Sequence, residues 1–187
     1  MNQTTAATPG ACYSGGAMIL HWLIATLIAL NIFAGWYSTT LEGPARFFVL
    51  GNHKSFGIII LLLTVARILW RLSHPAPPLP DTLKAWEAAL AKVTHFLFYV
   101  LMLAVPMAGW AYSSSFLKGA PVSIFGLVNF PGLPFSGDKA TTGLFAEVHE
   151  TLAFTMLALM ALHVLAALKH TFVDRDGTLR RMVPFLK

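Results

Sequence analysis

Histidines at the heads and within long apolar runs carry the first chemical information in this chain. His149 and His163 lie in one such run, residues 147–170, fourteen residues apart. That step is about four helical turns, or about 21 Å of rise, and it returns both imidazoles to nearly one face. The same stripe carries Ala153, Met156, Met160 and, one heptad further, His170. Ionisable groups inside a membrane are costly and by default mark function, so two depths on one face predict two sites stacked along the helix. His21, His53 and His95 open three other apolar runs. Neutral imidazole is a good iron ligand, and a haem iron gripped between two imidazoles from facing helices is the economical use of such pairs. By depth, His53 pairs with His149, and His163 pairs with His21 or with His95. Sulfur and carboxylate partners are too few for a closed zinc or iron–sulfur site.

These histidines need a scaffold, and composition defines it. With 56% hydrophobic and 11% charged residues and a mean hydropathy of +0.66, the 187 residues are too apolar for an ordinary soluble domain. The expectation is all-α: a single four-helix transmembrane bundle embedded in lipid. Residues 1–16 read as a flexible tail, residues 17–172 as the membrane domain and residues 173–187 as a polar tail. Spans are expected at about residues 17–37, 53–71, 94–114 and 147–170, with Pro106 a tolerable kink in the third. Residues 81–93 place Leu83, Trp86, Leu90 and Val93 at helical spacing, so they lie at the membrane surface or extend the third span. Residues 115–146, rich in Gly and Pro, read as an ordered loop capping the bundle. Cys12 stands alone in the leader, which excludes a disulfide framework within one chain.

Lys and Arg set the orientation. With both termini inside, nine (Arg67, Arg71, Lys84, Lys92, Lys169, Arg175, Arg180, Arg181, Lys187) fall on the cytoplasmic side against four (Arg46, Lys54, Lys118, Lys139) outside, as the positive-inside rule requires. This N-in, C-in arrangement puts His21, His95 and His163 near the inner face and His53 and His149 near the outer one. The net charge of +5 belongs to these loops, and the basic runs are too short for a nucleic-acid partner.

Further residues share these depths. Gly35 and Gly109 each stand fourteen positions after a histidine, His21 and His95; glycine there either lets a flat macrocycle lie against the backbone or lets helices pack closely. Arg67, fourteen after His53, reaches the inner level, where its guanidinium pairs with a haem propionate or snorkels to the boundary. His95, if not a ligand, suits a propionate or quinone contact. His170, beside Lys169, suits a quinone carbonyl or a propionate.

His21-Trp22, His53-Lys54-Ser55-Phe56-Gly57, Arg67-Ile68-Leu69-Trp70-Arg71, Pro75-Ala76-Pro77-Pro78, Pro106-Met107-Ala108-Gly109-Trp110 and His149-Glu150 with His163 together resemble the prokaryotic cytochrome b561 family. The resemblance covers about residues 18–184. It implies two haem b groups stacked across the bacterial inner membrane, with His21 and His163 as inner ligands and His53 and His149 as outer ligands. Two axial imidazoles leave iron no open position, so outer-sphere electron transfer is implied rather than oxygen binding. The function then expected is electron exchange between a periplasmic donor and the quinone pool. In the form some relatives take, superoxide is oxidised near the outer haem and ubiquinone reduced near His95, Lys169 and His170. The rival is an electron-carrier subunit that docks a periplasmic redox protein, or a dehydrogenase or hydrogenase partner, through the loop of residues 115–146.

Overall fold

The computed structural model describes residues 12–78 and 83–183. Four long helices, α1 (Gly15–Ser38), α2 (Gly43–Ser73), α3 (Ala85–Phe116) and α4 (Lys139–Lys169), run up and down as one bundle. Each is long and apolar enough to cross a membrane. Their surfaces agree with that setting: Leu30, Leu69, Phe96 and Phe154 are all more than half exposed, a pattern that only lipid satisfies. The sequentially adjacent helices make the close backbone contacts, whereas α1 and α4 meet mainly through side chains such as the His21 and His163 rings.

Three helices exceed the expected spans because their polar ends continue past the apolar window. α2 begins ten residues before His53, with Pro44 in its first turn, where proline's missing N–H costs nothing. α3 runs unbroken from Ala85, so the Trp86–Leu90–Val93 stripe extends the third span rather than lying separately on the surface. α4 begins at Lys139, inside the region expected to be loop, because Asp138 caps it by accepting the Thr141 N–H at 2.9 Å. That bond holds the Asp138 carboxyl below the usual carboxylate range.

The remaining α3–α4 connection is an ordered cover over one end of the bundle, here termed the loop end. Strands β1 (Val122–Ile124) and β2 (Val128–Phe130) pair antiparallel, with Ser123 opposite Asn129. Their turn places Phe125 at φ +51° and Gly126 at φ +74°, the left-handed pair of a tight hairpin turn. The Phe125 N–H donates to Ser55 Oγ of α2 at 2.9 Å, and Trp110 Nε1–H of α3 donates to the Pro131 carbonyl at 2.9 Å.

The opposite end, here termed the terminal end, is closed by the described segments that precede α1 and follow α4. The expected polar tail folds back after a π-helical turn, His170–Asp174. Trp22 Nε1–H donates to the Met182 carbonyl at 3.0 Å, the Tyr13 N–H to the Arg181 carbonyl at 3.2 Å, and the buried Arg181 Nη2 to the Pro78 carbonyl at 2.6 Å. Residues 1–11, most of the expected N-terminal tail, lie outside the described residues.

Between the two ends sits an apolar layer drawn from all four helices. Ile24, Leu101, Met102 and Met156 form its buried centre, with Leu63 of α2 packed against it. Met156 lies seven residues from each of His149 and His163, so this layer separates the two histidine levels.

Candidate haem-binding sites

At the loop end, His53 of α2 and His149 of α4 face each other with ring centroids 6.0 Å apart and planes at 80°. Two metal–nitrogen bonds of about 2 Å, plus roughly 1 Å from each nitrogen to its ring centre, put imidazoles on opposite sides of one iron about 6 Å apart. Each ring is aimed by the same device. His53 Nδ1–H donates to the Asn31 carbonyl of α1 at 3.0 Å, and His149 Nδ1–H to the Val105 carbonyl of α3 at 2.9 Å. Such a bond fixes the tautomer and leaves Nε2 free as the ligand atom.

Four residues beyond each of those carbonyls comes a glycine. A Cβ on Gly35 would stand 3.1 Å from His53 Cε1, and one on Gly109 2.9 Å from His149 Cε1. The glycines therefore admit the imidazole edge to the neighbouring backbone, a more specific duty than general helix packing. The two halves of the chain repeat one pattern: His21, Asn31 and Gly35 on α1 match the spacing of His95, Val105 and Gly109 on α3.

At the terminal end, His163 of α4 has two neighbours. His21 of α1 lies at a centroid distance of 6.4 Å and His95 of α3 at 5.7 Å, so both stand within coordinating range and the geometry brings all three together. They differ in setting. His21 is half-buried, whereas His95 is exposed, with Nδ1 bonded to the Ala91 carbonyl of its own helix at 2.6 Å and its flank on an open cleft of about 510 Å³. Arg67 reaches the His21 level as its spacing predicted: Nη1 donates to the Ala17 carbonyl at 3.1 Å, and Nη2 approaches His21 Nδ1 at 3.5 Å. Arg71 and Lys92 line the same cleft.

His170 and Lys169 are otherwise engaged. His170 Nδ1 meets Asp176 Oδ2 at 2.7 Å and Asp174 Oδ2 at 3.0 Å, while Lys169 Nζ bridges Glu87 at 2.9 Å and Asp174 at 2.6 Å. Burial acts to raise the Asp176 carboxyl, but hydrogen bonds from Thr178 and His170 outweigh it and leave it below the usual range. These carboxylates occupy His170 Nδ1 and the Lys169 ammonium in a structural knot. Asn31, whose carbonyl orients His53, is missed by sequence reasoning because backbone acceptors leave no residue signature.

Imidazoles in facing pairs, each with Nδ1 bonded to a backbone carbonyl at the loop end, and glycines that admit their rings make a donor set that fits haem iron. Comparison with known proteins agrees. Residues 12–185 match the family described as prokaryotic cytochrome b561. The chain is 31% identical over 175 residues to cytochrome b561 homolog 2 of Escherichia coli (strain K12), covering 87% of this chain and 86% of that protein. It is 34% identical over 169 residues to a probable superoxide oxidase, CybB, of Yersinia pestis (88% and 92%), and 29% identical over 178 residues to cytochrome b561 homolog 1 of E. coli (92% and 97%). Four membrane-spanning helices and a match along almost the entire length carry one conclusion: the chain belongs to the prokaryotic cytochrome b561 family, multi-pass membrane proteins that bind haem b and transfer electrons.

Proposed function

We propose that the chain holds two haem b groups, one between His53 and His149 and one between His21 and His163, and moves electrons between superoxide outside the bacterial inner membrane and the quinone pool within it. Haem held between His53 and His149, or between His21 and His163, would supply one-electron, outer-sphere transfer. The observation that carries the reading is the imidazole couple at 6.0 Å whose Nδ1 atoms are both fixed by backbone carbonyls. His21 is favoured over His95 by its burial between α1 and α4, since an inward-facing ligand excludes water from the metal. Arg67, with its guanidinium at the His21 level, is the partner for a propionate.

Superoxide is supported by the likeness to a relative named a probable superoxide oxidase. Two superoxide anions each lose one electron to become dioxygen, and one quinone gains both electrons with two protons to become quinol. With both termini in the cytoplasm, as the Lys and Arg distribution favours, the loop end faces the periplasm. Arg46, Lys118 and Lys139 are exposed there and draw an anion toward His53 and His149.

Stopped-flow mixing of the oxidised, haem-loaded protein with superoxide is expected to reduce haem faster than the uncatalysed control, and added quinone to reoxidise it. Reduction no faster than the control removes superoxide as donor. The carrier reading would then stand, favoured by the hairpin tip, where Leu127 is 84% exposed and Val128 64%, an apolar contact for a periplasmic redox protein.

The choice within the terminal-end triad has its own test. His21→Ala is expected to lose one haem of two, whereas His95→Ala keeps both; the reverse result, read by a pyridine-haemochrome count, would move the ligand to α3.

A further inference from the structure

Between Lys118 and Asp138 the chain carries no charge: residues 119–137 hold no Asp, Glu, Lys, Arg or His. A water-facing stretch of that length and average composition would carry about five charged residues. The β1–β2 hairpin lies within this stretch, and residues 125–129, Phe-Gly-Leu-Val-Asn, are exposed without a break. Leu127 is the most exposed large apolar side chain among the described residues. An exposed apolar tip of this kind marks a contact with something apolar.

The tip's position identifies that contact. The hairpin does not stand clear of the bundle: the Phe125 N–H donates to Ser55 Oγ at 2.9 Å, and the Phe125 ring meets that of Phe56 edge-on at 5.1 Å. The turn is therefore held against α2 two to three residues past His53, on the side of the bundle's middle. Phe56 shares its surface with Phe48 of α2 and with Leu30 and Phe33 of α1, and the last three are all more than half exposed on the lipid-facing exterior. Phe125 continues that exterior into the hairpin. Its backbone suits a setting poor in water, because the Leu127 N–H donates to the Ile124 carbonyl at 2.9 Å while Ser55 meets the Phe125 N–H. The inner side of the hairpin is already filled, with Val122 3% exposed and Phe130 against the Trp110 ring at 5.0 Å. Only the tip is left to find a partner outside the protein.

We infer that the hairpin turn, Phe125 to Val128, is seated in the bilayer at the loop end, with Leu127 and Val128 among the acyl chains just beneath the headgroups. Interfacial segments bury apolar side chains roughly 5–10 Å into that boundary, a depth that two residues at the end of a hairpin can reach. The partner is the lipid surface, continuous with the lipid that already covers α1 and α2. Seated there, the turn pins the cover over His53 and His149 to the membrane. A tip in lipid is also withdrawn from the protein contact that the carrier reading would use.

The test uses the full-length, haem-loaded protein in phosphatidylcholine nanodiscs. In a Cys12→Ser background, Leu127→Cys and Glu42→Cys place a thiol at the tip and at an exposed acidic position between α1 and α2, at the same end of the bundle. A charged maleimide is expected to alkylate position 127 at least tenfold more slowly than position 42. In the wild-type protein, a photoactivated diazirine on the lipid acyl chain should label residues 125–128, as read by peptide mass spectrometry. Alkylation at position 127 as fast as at position 42, or no acyl-chain label on residues 125–128, overturns the inference and returns the tip to water.

Discussion

Replacing His149 by alanine is expected to leave one of the two haems proposed for the wild-type protein. The substitution removes the imidazole facing His53 at 6.0 Å and leaves the Val105 carbonyl without its donor. His163, on the same helix, lies fourteen residues away beyond the Met156 layer, so the terminal-end couple keeps its surroundings. A pyridine-haemochrome count should fall from two per chain to one, and the reduced-minus-oxidised spectrum should lose one component only. His53→Ala should delete the same component. Retention of both haems in either variant, or loss of both in a protein that still folds as four helices, would refute the pairing.

The next largest effect is expected from Gly109→Val. A Cβ at this position would stand 2.9 Å from His149 Cε1 and 3.1 Å from Nδ1, inside ordinary contact, and valine adds two further carbons to the same crowded spot. Because Nδ1 is tied to Val105 four residues earlier on the same helix, the imidazole has little freedom to retreat without breaking that bond. The loop-end haem should therefore be lost as in His149→Ala. Gly35→Ala, with 3.1 Å to His53 Cε1, should be milder, shifting the spectrum of that haem before its content falls. Helix propensity runs the other way: glycine in a helix interior is about 1 kcal/mol worse than alanine. A loss of haem thus reports on the ring, whereas a fully loaded Gly109→Val protein would reduce this glycine to packing alone.

The bundle is legible in the sequence because a membrane imposes a single rule on every span, and histidines against that background announce their depths. The levels of His53 with His149 and of Arg67 with His21 follow from alternating span direction together with helical rise. Helix ends are not legible in the same way. Lys139-Ala140-Thr141-Thr142-Gly143 and Gly43-Pro44-Ala45-Arg46 are helical, yet nothing apolar repeats in them, since they project beyond the lipid. The choice between His21 and His95 stays open in the sequence for a physical reason: α1 and α3 repeat one pattern, and both rings approach His163. His170 has Asp174 four residues on, within the same helical turn, but its nearer partner, Asp176, comes from the fold-back, which periodicity does not reveal.

The fold-back also ties together segments far apart in sequence. The Tyr13 N–H donates to the Arg181 carbonyl and Trp22 Nε1–H to the Met182 carbonyl, the second bond spanning 160 residues. Undocking the segment that follows α4 therefore releases the Trp22 indole as well, and slow hydrogen exchange at that one indole N–H reports that the latch is shut.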